Sequence, residues 1–232
     1  MNPGSGAVVF DLDGTLVDSV ADLRLCLNRA LAELRLPPLG RAQVTAMVGD
    51  GVRTLMQRAL EALGVPTQGD FGAAVIDRLL GRFMPLYAAA PSVHTRAYDG
   101  VPETLRQLVA DGWSLAVCTN KPLAPSLTIL HALGLDIFFD TVVGGDSTPA
   151  RKPDPRPLRA ALATLGIDAA NAVMVGDGPH DAQAAGAAGT AFIGVRYGYG
   201  SDALAAMTLA TPPVSRFDEI PERVRTLCAV PA

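Results

Sequence analysis

The sequence predicts an α/β fold: a doubly wound parallel sheet interrupted by an inserted all-helical unit. Three observations carry that prediction. Ala7–Phe10 is an unbroken apolar run, the pattern of a strand buried on both faces. From about Asp99 onward, short apolar runs alternate with helical patterns, the order of a βαβ series. Between these parts, residues 17–92 place apolar side chains at helical spacing, and no strand pattern interrupts them.

The elements follow in order. After the opening strand, Val20, Leu23, Leu27, Leu31 and Leu34 mark one helix. Leu55, Ala59, Leu60 and Leu63 mark a second, and Ile76, Leu79, Leu80, Phe83 and Tyr87 a third. Pro37-Pro38-Leu39-Gly40 and Gly64-Val65-Pro66 separate them, because proline and glycine punctuate helices. Strands are then expected at 114–119, 141–143, 172–177 and 191–195, with helices near 101–111, 123–134, 155–166 and 181–189. Gly112, Gly134, Gly166 and Gly189 stand at or just past the helix ends, where a C-cap favours glycine. A short helix near 221–228 closes the chain. The expected boundaries are a core of residues 1–16 and 93–232 and a helical cap of residues 17–92, hinged near 15–18 and 91–96.

Composition narrows the function. Hydrophobic residues make up 49% of the 232 and charged residues 18%, enough apolar material for a sizeable core. A formal net charge of −4 argues against a nucleic-acid surface. No apolar run approaches the ~18 residues of a membrane span, and the first six residues lack the basic and apolar regions of a signal peptide. A cytoplasmic protein, monomeric or homodimeric, is expected. Cys26, Cys118 and Cys228 are scattered without metal-ligand spacing and read as reduced thiols. Lys121 and Lys152 are the only lysines.

Chemistry gathers where the strands end. Asp11-Leu12-Asp13-Gly14-Thr15 follows the first strand directly. Residues i and i+2 of an extended chain point the same way. At ~4 Å two carboxylates repel by about 1 kcal/mol in water and about 4 kcal/mol at an effective dielectric of 20. That cost points to a divalent metal, to covalent chemistry, or to both. Thr119-Asn120, Lys152-Pro153 and Gly176-Asp177 with Asp181 lie at or beyond later strand ends, the side on which open α/β sheets bind ligands. One crevice would hold four acids, a hydroxyl, an amide and a lysine, a set suited to phosphoryl transfer. Asp forms an aspartyl-phosphate, and a second carboxylic acid can protonate the leaving alkoxide and then activate water. Mg²⁺ takes a few carboxylates with phosphate oxygens, here Asp177 with Asp11. Lys152 and Thr119 supply a fixed cation and a donor for the transferred group.

The motifs Asp11-Leu12-Asp13-Gly14-Thr15-Leu16-Val17-Asp18-Ser19, Thr119-Asn120, Lys152-Pro153 and Gly176-Asp177-Gly178-Pro179-His180-Asp181 resemble, in order and spacing, those of the haloacid dehalogenase superfamily. The resemblance implies a Rossmann-like core and a cap inserted after the first motif. It implies Asp11 as nucleophile and Asp13 as general acid/base, with the Asp13 backbone carbonyl also on the metal. It gives Thr119 and the backbone of Asn120 to phosphate, Lys152 to neutralising nucleophile and phosphate, and Asp177 to the metal. Asp181 becomes an outer-shell acid that orients Lys152 or metal-bound water. Pro179-His180 departs from the pattern, in which an Asn often precedes the last Asp.

Within the superfamily, Asp13 disfavours dehalogenation, since a halide leaves without a proton. The absence of lysine from residues 17–92 disfavours Schiff-base phosphonate cleavage. Val48-Gly49-Asp50-Gly51, Cys118-Thr119-Asn120-Lys121-Pro122 and Gly198-Tyr199-Gly200 look most like the members that hydrolyse phosphoglycolate. The expected partner is therefore a small phosphorylated metabolite, with a sugar-phosphate phosphatase or mutase as the alternative. Gly49, Asp50 and Gly51 are expected in a cap loop that reads the substrate, or in a plain helix–helix turn, and Arg53 close behind would meet a substrate carboxylate. Lys121 reads as a surface charge, His94 and His131 as surface or packing residues, and Cys118 as a buried apolar residue.

Overall fold

A computed structural model describes residues 6–228. Residues 1–5, most of the segment read as lacking a leader, and 229–232, the end of the expected core, lie outside the described residues. In chain order the elements are β1 (Ala7–Phe10), β2 (Val17–Asp18), α1 (Val20–Glu33), α2 (Arg41–Thr45), α3 (Val52–Ala62), α4 (Gly69–Ala89), β3 (Arg96–Ala97), α5 (Val101–Ala110) and β4 (Ser114–Cys118). There follow α6 (Leu123–Ala132), β5 (Thr141–Val143), α7 (Arg156–Leu165), β6 (Ala172–Gly176), α8 (Pro179–Ala188), β7 (Ala191–Gly194), α9 (Ser201–Ala205) and α10 (Ile220–Cys228).

Five strands form a parallel sheet in the order β5-β4-β1-β6-β7. The first strand lies at the centre, and the chain runs outward to one side and then to the other. The strand order reverses between β1 and β6, and a doubly wound sheet opens its ligand crevice at that switch point. The apolar run of β1 needs no alternation because both its faces are covered. Val8 and Phe10 join one cluster, with Leu105, Leu108 and Phe217. Ala7 and Val9 join the opposite one, with Leu158, Leu162 and Met174. Phe10 stacks on Phe217 at 5.7 Å between ring centroids, which fastens the loop before α10 to the sheet.

The helical insertion has its own core, in which Leu23, Leu27 and Leu31 of α1 meet Met56 and Leu60 of α3 and Leu79 and Phe83 of α4. One expectation is corrected here. The segment read as free of strands begins with β2, which pairs antiparallel with β3, Val17 opposite Ala97 and Asp18 opposite Arg96. Two residues per strand are too few for a periodic pattern, and the partners lie far apart in sequence. This ribbon brings the two chain crossings between sheet and helices side by side.

The return crossing is fastened by Asp22 of α1. Its buried carboxylate accepts the backbone N–H of His94 and of Thr95 and the Thr95 hydroxyl, at 2.8–3.0 Å. Three donors lose their acceptor together when the carboxylate is removed. Asp22→Ala is expected to cost about 3 kcal/mol, read as a lower urea midpoint.

Candidate active site

β1 delivers Asp11 to the switch point, where its backbone N–H donates to Val175 O of β6 at 2.9 Å. The Asp11 carboxylate accepts from Leu12 N–H at 2.7 Å and lies 3.0 Å from Lys152 Nζ. Both contacts fall on Oδ1. β6 ends at Gly176, and Asp177 follows in the loop before α8. Asp181 belongs to the first turn of α8, where its Oδ2 accepts the Gly178 N–H at 3.1 Å, the reciprocal half of a capping box. A strand end and a helix start thus place Asp177 and Asp181 four residues apart on one crevice.

Carboxylate oxygens of Asp11, Asp177 and Asp181 all lie within 4.8 Å of one another, and all three residues are buried. Burial is the largest influence on Asp11, whose pKa rises from 3.8 to about 6; Lys152 opposes the rise and Asp181 adds to it. Asp177 is pushed to about 7 by burial, then by Asp181 and Asp11. A cluster of acids held apart from water in this way fits a hard divalent cation, which relieves the repulsion that raises them. The donor set is all oxygen, as magnesium prefers.

Lys152 lies beneath the cluster. Its ammonium donates to Cys118 O at 2.6 Å and to Asp181 Oδ1 at 2.6 Å, besides contacting Asp11. Burial works against its charge, but Asp11 and Asp181 outweigh burial and hold the ammonium above its ordinary pKa. Cys118 is buried, as expected, and burial raises its thiol to about 12.

Asp13 faces a different way. Its carboxylate receives Lys121 Nζ at 2.8 and 3.1 Å and the Ser19 hydroxyl. It is absent from the three-acid cluster, so its expected contact with a metal concerns the main-chain carbonyl rather than this side chain. Gly14 follows with φ +86°, and a Cβ there would collide with the Asp177 carboxylate. Only glycine allows both that backbone conformation and that approach.

Thr119 and Asn120 emerge from β4, both buried. The Thr119 hydroxyl accepts the Lys121 N–H at 3.2 Å, which leaves its own proton free. Asn120 Nδ2 donates to Lys152 O and to Gly49 O, both at 2.9 Å. It therefore ties the sheet to the loop between α2 and α3. Asp50 of that loop makes ion pairs with His180 of α8 and with Arg58 of α3. The hydrogen bond from His180 holds Asp50 below the usual carboxylate range, and Asp50 in turn raises His180. Gly49 and Gly51 line a cavity that also touches Asp11, Asp13, Thr119, Asn120 and Lys121. Asp50 is not among the lining residues.

Two sequence expectations fail. Arg53 does not reach the cavity; it pairs with Asp77 of α4 and is about half exposed. Val52 and Leu55 of the same helix take the cavity side, and at about 100° per residue position 53 turns away. Lys121 is no surface charge: it is 6% exposed, bound to Asp13, and 4.8 Å from the ring centroid of Tyr87 on α4. Ser19, Gly200 and Tyr199 complete the surroundings without having been singled out individually. Gly200 N–H donates to Asp177 Oδ2 at 2.9 Å. The Tyr199 hydroxyl donates to Asp18 at 2.7 Å and accepts the Ser19 N–H at 2.7 Å. Ser19 closes the first motif, and Tyr199 and Gly200 belong to the glycine-rich Tyr197-Gly198-Tyr199-Gly200 after the last strand, which is a site-edge loop here. His131 is exposed and pairs with Asp136.

A hydrolase family is defined by this sheet and these strand ends. Residues 8–195 match the haloacid dehalogenase-like hydrolases, and the chain belongs to that family. Among its curated relatives, a phosphoglycolate phosphatase of Rhodospirillum rubrum is 44% identical over 87% of this chain and 83% of its own. Another, from Cereibacter sphaeroides strain ATCC 17025, is 46% identical over 83% and 85% respectively. A crystal structure described as a predicted phosphoglycolate phosphatase, from Haemophilus somnus 129PT, superposes with a TM-score of 0.85 at 32% identity, covering 96% of this chain and 99% of that one. Among the described residues, no helix is long and apolar enough to cross a membrane.

Proposed function

We propose that this chain is a cytoplasmic, Mg²⁺-dependent phosphomonoesterase that converts phosphoglycolate to glycolate and phosphate through an aspartyl-phosphate on Asp11. The observation that carries the reading is the buried trio Asp11, Asp177 and Asp181, with Lys152 in contact with two of its members. The names of the relatives support the substrate. So does the wall of the cavity, which is largely apolar through Leu23, Val48, Val52, Leu55, Phe83 and Met84 and leaves few polar groups for the hydroxyls of a sugar phosphate.

In the first step an oxygen of Asp11 attacks phosphorus, the bond to the ester oxygen breaks, and Asp13 gives that oxygen its proton. In the second step Asp13, now a carboxylate, takes a proton from water. The water oxygen attacks phosphorus, and the Asp11 carboxylate and inorganic phosphate are released. Lys152 holds Asp11 in place and offsets the charge of the phosphoryl group, and the free Thr119 proton binds one of its oxygens. Asp11, Asp177 and the Asp13 main-chain carbonyl would hold Mg²⁺, with Asp181 beside them; when bound, the ion supplies charge neutralisation to the transferred group. Residues 17–92 act as a cap, closed over the crevice by Asn120–Gly49 and Asp50–His180. Opening of this cap would admit substrate and its closure exclude water.

Phosphate release from phosphoglycolate and from p-nitrophenyl phosphate, with Mg²⁺ and with a chelator, tests the reading; turnover that survives the chelator refutes the metal. The pH dependence has a definite sign. Asp11 near 6 and Asp177 near 7 lie above the unfolded 3.8, so the metal-free fold loses stability as pH rises through about 4 to 7. A bound cation reverses that loss. The rise in melting temperature produced by Mg²⁺ is expected to grow between about pH 5 and pH 7.5 and then level off. A rise independent of pH would contradict the assignment of these acids to the metal.

A further inference from the structure

One cation beside the two leading aspartates has no part in the steps above. Among the described residues that line the cavity, Lys121 is the only positively charged one. None of the other nearby cations lines the cavity. Arg53 is held by Asp77 and Arg58 by Asp50, and Arg151 Nε donates to Gly145 O. Lys152 has spent its three N–H donors on Cys118 O, Asp181 and Asp11. Lys121 has three donors as well; among the described residues two of them meet the two oxygens of Asp13, and the buried Tyr87 hydroxyl, which has no other partner, lies beside the ammonium. The face of Tyr87 lies on it from the cap. No second charged group competes with Asp13 for the ammonium, so an incoming anion can displace the neutral Tyr87 hydroxyl from it.

We propose that Lys121 selects carboxylate-bearing substrates, sharing its ammonium between Asp13 and the carboxylate of the bound ester. This rests on the phosphoglycolate reading and names the residue that enforces it. In phosphoglycolate the carboxylate carbon is only two bonds from the ester oxygen that Asp13 protonates. A group that touches the Asp13 carboxyl is therefore beside the substrate carboxylate too. The remaining walls are largely apolar, and an unpaired carboxylate is costly among them. Lys121 is already withdrawn from water and held in position by its neighbours, so little ordering is left to be done on binding. A longer acid would carry its carboxylate past the ammonium, and a neutral ester would offer it no second charge.

The test compares phosphoglycolate with its carboxamide analogue and with ethyl phosphate, using the full-length enzyme with Mg²⁺. The wild type is expected to favour phosphoglycolate over both neutral esters by about 100-fold or more in kcat/KM. Lys121→Met is expected to lower kcat/KM for phosphoglycolate by about 100-fold, mainly through KM, and to bring the preference to within a few-fold of unity. Lys121→Arg should keep the preference. Glycolate, as a competitive inhibitor of p-nitrophenyl phosphate turnover, should weaken in parallel on Lys121→Met. If Lys121→Met slows all three esters equally and keeps the preference, the lysine serves Asp13 alone and the proposal is overturned. Equal turnover of the acid and the carboxamide by the wild type overturns it without any variant. A wild type that hydrolyses hexose phosphates but not phosphoglycolate overturns the substrate reading itself, a result distinct from either.

Discussion

Asp11→Asn is expected to abolish phosphomonoester hydrolysis, by at least about four orders of magnitude in kcat, while the protein remains folded. The amide has no charge to place on phosphorus, and no neighbour can substitute. Asp13 is turned toward Lys121 and Ser19, and Asp181 toward Lys152 and Gly178. The fold should survive because the change removes a charge that burial and Asp181 disfavour, and the amide oxygen can still accept from Leu12 N–H. Without divalent metal, the variant is expected to melt at or above the parental temperature near pH 7, since the parental Asp11 is largely ionised there. Near pH 4 that difference should shrink, because the parental group is then protonated. Phosphate release and melting curves in a chelator read both effects. An active Asp11→Asn enzyme would remove Asp11 from the role of nucleophile.

Lys152→Met is expected to damage fold and activity together. Its ammonium is buried, and its removal leaves Asp11, Asp181 and the Cys118 carbonyl without their shared donor. Breaking a buried ion pair from one side costs about 3–5 kcal/mol. In a domain of this size that corresponds to a fall in melting temperature of roughly 6–20 °C. Asp181→Asn introduced into Lys152→Met should restore part of the stability by removing one stranded charge, and the double-mutant cycle measures how much. A Lys152→Met protein as stable as its parent would mean that the acids protonate at no cost, contrary to the packing around them.

Local signals carried much of the fold. The helix expected at 101–111 is Val101–Ala110, that at 155–166 is Arg156–Leu165, and the strand at 191–195 is Ala191–Gly194. In each case a run of one periodicity ends on a turn residue; Gly166, for example, caps its helix at φ 68°. The parts that escaped detection depend on distant pairs. β2 and β3 exist because their residues meet across the whole insertion. Lys121 is buried by Tyr87 and Asp13, which come from other elements, and adjacency to Thr119-Asn120 said nothing of which way it would point. Arg53 shows the converse: nearness in sequence to Gly49-Asp50-Gly51 suggested a shared site, but the turn of α3 sends it to Asp77. That Asp11, Asp177 and Asp181 share one crevice was legible in outline because Asp11 and Asp177 follow strand ends and Asp181 opens the next helix, but the expected trio held Asp13 in place of Asp181. The bond from Gly200 to Asp177 was not, since a backbone N–H leaves no trace in residue type.

Both lysines of the chain are enclosed, Lys121 at 6% and Lys152 at 3% exposure, so the folded protein presents no lysine amine on its outer surface, and Lys121 is met only from within the cavity. Lysine-directed coupling to a resin, too bulky for the cavity, will pass over these side chains while the structure holds. Their labelling then becomes a clock for the opening of the molecule, with the arginines on the exterior left unmarked.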